Sequence, residues 1–122
     1  MKVWLFLAAL NGGLAVTAGA FAAHGLKARL DANALSVFEI GARYHMYHAL
    51  AMGLAALVGR GPAAPFATAA ASLFLAGIIL FSGSLYLLAL SGNPALGFVT
   101  PIGGLAFLAG WAMLAIAALK RD

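Results

Sequence analysis

Between Ala63 and Leu90 the chain reads AAPFATAAASLFLAGIILFSGSLYLLAL, 28 residues without a formal charge. A helix needs roughly 20 mainly apolar residues to cross a hydrocarbon core of about 30 Å. Lipid offers no partner to loose backbone amides, so a run of this kind crosses as a helix or not at all. Gly61-Pro62 precedes the stretch and Ser91-Gly-Asn-Pro94 follows it, which supplies a start and a stop. The reading is a membrane span long enough to tilt.

Upstream, Val3 to Ala23 carries no charge and has Lys2 and Trp4 at its head, a basic residue and an aromatic where a span is anchored. A cleaved signal peptide competes for this segment, because Ala18-Gly-Ala20 and Ala20-Phe-Ala22 match small-residue cleavage sites. Asn11-Gly-Gly13 interrupts the apolar run, and Ala15, Gly19 and Ala23 are spaced for close helix packing, so a retained span is expected. His24-Gly25 should break it, with Gly25 as a left-handed cap. Leu26 to Leu30 would follow as a short basic amphipathic piece on the membrane surface. Downstream, Thr100 as cap and Pro101 in the first helical position open another span, which ends at Leu119 before Lys120-Arg121. Gly103, Ala106 and Gly110 give it one small-residue face.

Composition agrees. Of 122 residues, 65% are hydrophobic and 8% charged, against about 25% charged in soluble domains. Mean hydropathy is +1.04. The expected fold is an all-α, four-helix transmembrane bundle, up-down-up-down, in a single domain with spans at about 3–23, 37–58, 64–90 and 100–119. The net charge of +4 comes from scattered basic residues, which implies contact with the phospholipid bilayer and no nucleic acid. With no cysteine, disulfides and thiolate chemistry are excluded. Lys2, Arg60, Lys120 and Arg121 fall on one side, against Lys27, Arg29 and Arg43 at most on the other. That asymmetry favours cytoplasmic termini.

The polar residues crowd into Ala22–His48, AAHGLKARLDANALSVFEIGARYHMYH, which holds all three histidines and two of the three acids. Asp31 or Asn33 can begin the second helix, and Ser36-Val-Phe-Glu39 has a capping-box pattern. With Glu39 at 0° on a helical wheel, Arg43 falls near ~40°, Tyr44 near ~140°, His48 near ~180° and His45 near ~240°. An ion pair between Glu39 and Arg43 is expected from their i, i+4 order. The candidate polar cluster is His24, Glu39, Arg43, Tyr44 and His48. In one reading it anchors the helix end at the headgroups and each histidine bonds a carbonyl or a tyrosine. In the other it lines a polar pocket, since ionisable groups inside a membrane are costly. Asn11, Ser82, Ser84, Tyr86 and Thr100 are expected to bond between helices or back to their own. Two histidines are too few for a zinc site, and no nucleophile–base–acid set or phosphate loop is present. Neither metal, cofactor nor enzyme chemistry is expected.

Several pieces in order carry a family resemblance: Gly19-Ala-Phe-Ala-Ala-His-Gly-Leu26; Phe38 with Tyr44-His-Met-Tyr-His-Ala-Leu50; Phe81-Ser-Gly-Ser-Leu-Tyr86; and Thr100-Pro-Ile-Gly-Gly104 with Gly110-Trp111. The chain resembles domain-of-unknown-function family 423, small bacterial inner-membrane proteins related to a eukaryotic transmembrane group. The resemblance implies a multi-pass inner-membrane protein and assigns no activity. The family pattern has Gly where this chain has Ala22, and usually Gln where it has His45. That second departure points to His24 and His48 rather than His45. Two functions fit: a non-enzymatic protein acting through helix contacts, as a homo-oligomer or an accessory subunit, or a small carrier for a lipid or solute that uses the polar cluster.

Overall fold

The computed structural model describes residues 1–121 and is helical from end to end. α1 (Lys2–Phe21) runs into a π-helical turn at Ala22–Leu26. α2 spans Ala32–Val58. A 3-10 turn at Gly61–Ala63 leads into α3 (Ala64–Gly77), which continues through a second π turn (Ile78–Ser82) into α4 (Gly83–Ser91). A 3-10 turn at Pro94–Phe98 precedes α5, Thr100–Lys120.

Three of these rods, Lys2–Leu26, Gly61–Ser91 and Pro94–Lys120, are long and apolar enough to cross a membrane. α2 is long enough but too polar, because Glu39, Arg43, Tyr44, His45, Tyr47 and His48 crowd into ten residues around its middle. By length and composition, three helices rather than four qualify.

Neighbouring rods run antiparallel. Asn11 meets His45, and Ala8 lies under Gly53; His48 meets Phe74; Gly110 lies under the Phe74 ring and Gly103 against the backbone of Leu80 and Phe81. α3 and α5 form the tightest pair, while α1 packs on α2 and on its own π turn. The main core gathers Ala8, Ala51, Met52, Ala55, Phe74 and Phe107. Much of it is alanine, so the backbones approach closely, as helices in lipid do when packing rather than hydrophobicity joins them.

Local signals held at most ends. Gly92 takes φ 71° and closes α4, and Gly61 at φ 54° turns the chain after α2. Asp31 caps α2, its Oδ1 accepting from Ala34 N at 2.8 Å. Ser36 and Glu39 therefore lie inside the helix, so the capping box there does not form. The helix break at His24-Gly25 also fails. The chain widens into the π turn instead, Gly25 stays out of the left-handed region, and its missing side chain leaves room for the Phe21 ring. Only a short turn follows, in place of the surface helix expected at Leu26–Leu30. α5 is capped by Val99, while Thr100 is its first residue and reaches across to Ser84.

Candidate functional site

The face α2 turns inward is written in small residues. Gly41, Ala42, Ala49, Ala51, Ala55 and Ala56 are buried, with Phe38 and Met52 among them, and all fall between ~120° and ~300° on the wheel that puts Glu39 at 0°. His45, near ~240°, sits within that stripe. Glu39, Arg43 and Tyr47, at ~0–80°, are exposed on the opposite side.

His45 consequently becomes the hub of a buried network. Its Nδ1 lies 2.9 Å from the Tyr86 hydroxyl and its Nε2 2.9 Å from Asn11 Oδ1. Asn11 Nδ2 donates to Leu7 O at 2.9 Å. A carbonyl only accepts, which makes Oδ1 the free acceptor of Asn11. His45 then carries its proton on Nε2 and donates it to Asn11, and Nδ1 accepts from Tyr86 O–H. The bonds run head to tail from α4 through α2 to α1, an order in which each polarises the next.

His48 makes a second junction, between α2 and α5. Its Nδ1 lies 2.7 Å from Tyr44 O, and Trp111 Nε1 donates to its Nε2 at 3.1 Å. Indole can only donate and a carbonyl can only accept, so His48 is the neutral Nδ1–H tautomer. Its ring stacks on Phe107 at 3.5 Å between centroids and 6° between planes. α2 and α5 otherwise touch sparsely, which makes this the main tie between them.

Of the five residues in the expected cluster, the structure joins two. Tyr44 and His48 share the carbonyl bond and stacked rings with centroids 6.1 Å apart. His24, Glu39 and Arg43 are exposed, and among the described residues no carboxylate lies within ion-pair distance of a basic group. The expected Glu39–Arg43 pair does not form: both side chains point outward, where an exposed pair gains little for the rotamer freedom it gives up. His24 is remote from His48. Phe21 packs on Phe38, ten residues before His48, and His24 lies beyond Phe21; roughly 20 Å of helix axis separates the histidines.

His45 was passed over, although the small-residue stripe around it was legible. The remaining span polar groups behave largely as expected. Ser84 Oγ donates to Phe81 O at 2.9 Å and meets Thr100 Oγ1 at 2.6 Å. Ser82 Oγ, fully buried in the second π turn, has no partner. Among the described residues no group of three histidine, aspartate or glutamate side chains is placed to hold a metal.

The profile of a family described as "Protein of unknown function (DUF423)" matches residues 18–104, a stretch that contains His45, His48 and Tyr86. The chain belongs to this family. It is similar to the UPF0382 membrane protein YwdK of Bacillus subtilis, 46% identical over 98% of both chains. It is likewise similar to the UPF0382 membrane protein SAB0533 of Staphylococcus aureus, 46% identical over 98% of both. The UPF0382 membrane protein of Haemophilus influenzae is 45% identical over 96% of this chain and 94% of its own. No solved structure matches. The protein is an integral membrane protein of a family without an assigned activity.

Proposed function

We propose that the chain is a four-span protein of the bacterial inner membrane, its helices bundled and both termini cytoplasmic, that acts without chemistry of its own. It works through helix contacts, as a homo-oligomer or as an accessory subunit of a membrane complex. α2, too polar to qualify by hydropathy alone, crosses inside the bundle because its histidines are bonded to neighbouring helices. Charge placement supports the orientation. Met1 packs against Gly59, and Arg60 and Arg121 line one recess, so the basic groups nearest both termini collect at one end. Lys27 and Arg29 sit at the other. A C-terminal reporter active only outside the cytoplasm should stay silent, and strong activity overturns this orientation.

The observation that carries the functional reading is the state of α1. It packs on α2, and on the side away from that contact it presents Ala9, Gly13, Thr17 and Ala20, all exposed. A Cβ built at Gly13 meets nothing within 4 Å, and the Thr17 hydroxyl is already bonded to Gly13 O. These small residues, with the polar group satisfied, leave room for another helix at close range, and the exposed Phe6 and Val16 on the same side supply apolar contact for it. Native mass measurement after mild-detergent extraction should find more than one copy, or a stoichiometric partner, and Gly13→Leu should release it. A strictly monomeric wild-type chain overturns the reading.

A further inference from the structure

We infer that the cleft between α1 and α4 is a binding site for a neutral, hydroxyl-bearing membrane lipid. The cleft follows from the packing, since α1 and α4 both lean on α2 and leave a gap between them. On one side of Tyr86 it forms a groove of about 520 Å³, floored by Asn11, His45 and Tyr86 and walled by Ile79, Leu87 and Val99. On the other side a groove of about 410 Å³ runs past Leu14, Phe21 and Leu90, with His45 and Tyr86 again on its floor. These volumes are in the range of small-molecule sites, which are mostly apolar with a few convergent polar groups.

Depth selects the class of ligand. His45 lies thirteen residues into α2, about 20 Å from its start and close to the middle of a ~40 Å helix. A charged headgroup is not carried to that level without large cost, so the ligand is neutral there.

The hydrogen-bond inventory selects its polar group. Tyr86 gives its proton to His45, which leaves its oxygen free to accept. Asn11 uses one amide hydrogen on Leu7 O and retains a second. Asn11, His45 and Tyr86 all face the larger groove, so the floor offers an acceptor beside a donor. A hydroxyl satisfies both at once, and a saturated hydrocarbon satisfies neither. The apolar chain then lies along the groove walls, entering sideways from the bilayer.

The test uses full-length protein in phosphatidylcholine nanodiscs, with hexadecanol as the probe and hexadecane and palmitate for comparison, read by native mass measurement. One hexadecanol per chain is expected, with hexadecane and palmitate at least tenfold weaker. Tyr86→Phe should weaken hexadecanol about tenfold. Gly83 also lines the larger groove, and a Cβ there meets only Ile78 O, at an ordinary 3.8 Å. Gly83→Leu therefore fills the groove while leaving the three polar residues in place; it should abolish binding with an unchanged melting temperature. Hexadecane or palmitate binding as well as hexadecanol overturns the inference, and so does wild-type binding by Gly83→Leu. The oligomeric state is a separate readout, so loss of this site leaves the helix-contact reading standing.

Discussion

His45 shows how a residue is valued by what it joins rather than by its chemistry in isolation. As a neutral imidazole it donates on one side and accepts on the other, and a glutamine amide of similar reach does the same. A glutamine at this position, which the family resemblance implies, is therefore compatible with a bridging role. His45→Gln should stay within about 0.5 kcal/mol of wild type, whereas His45→Leu, which strands Asn11 and Tyr86, should cost about 1–2 kcal/mol. Reversible unfolding in mixed micelles would distinguish them. At His48 the stacking and the hydrogen bond can be separated. Trp111→Phe removes the indole donor and part of a ring that is 42% exposed while leaving the His48–Phe107 stack in place, and should cost about 0.5–1.5 kcal/mol. His48→Ala also empties the space against Phe107 and should cost about 2–4 kcal/mol. Equal losses in the two variants would show that the stack contributes nothing.

At the scale of elements, the join between the Gly61–Ser91 rod and α5 rests on a widened turn meeting a bare helix face. The π turn at Ile78–Ser82 adds a residue to its turn and brings the backbone of Leu80 and Phe81 against Gly103, where a Cβ would come within 2.8 Å of the Leu80 carbonyl carbon. Backbone cannot swing aside as a side chain can. Gly103→Ala should destabilise by about 1–3 kcal/mol, while Gly104→Ala, whose Cβ meets only the Phe81 ring at 3.9 Å, should stay within about 0.5 kcal/mol. The start of α2 gives a second contrast. Asp31→Ala removes a cap worth about 1 kcal/mol, and Ser36→Ala removes none. Thermal melts of both pairs in one detergent are the measurement, and a Ser36→Ala loss equal to that of Asp31→Ala would restore the capping box.

For the molecule as a whole, unequal attachment of the rods sets the order of loosening. α3 interlocks with α5 through Gly77, Phe107 and Gly110 and also packs on α2, whereas α1 is held chiefly by α2, through Ala8, the Phe21–Phe38 rings and the Asn11–His45 bond. Amide exchange in detergent should open Leu10–Gly19 before Phe66–Leu75, and Asn11→Leu should widen the gap. Simultaneous exchange would mean that α1 is no weaker than the core. Surface charge should matter little at this scale: with Glu39 and Arg43 unpaired, Arg43→Ala should cost no more than Lys27→Ala, reversing what their spacing alone suggests.

The residue pattern alone determined that this chain belongs in a membrane, because a 28-residue run without charge has no other low-energy place to be. It also fixed the turns at Gly61 and Gly92, where local chemistry is sufficient. Family membership was likewise legible, in short motifs such as Thr100-Pro-Ile-Gly-Gly104. What tertiary structure decided was which polar residues act together. Glu39 and Arg43 are neighbours along one helix and looked coupled, yet they face outward; Asn11, His45 and Tyr86 come from three helices and bond in a line. Spacing along a chain determines which side chains share a helix face. Only the register and rotation of one helix against the next, set by where alanine and glycine allow close approach, determine what that face meets.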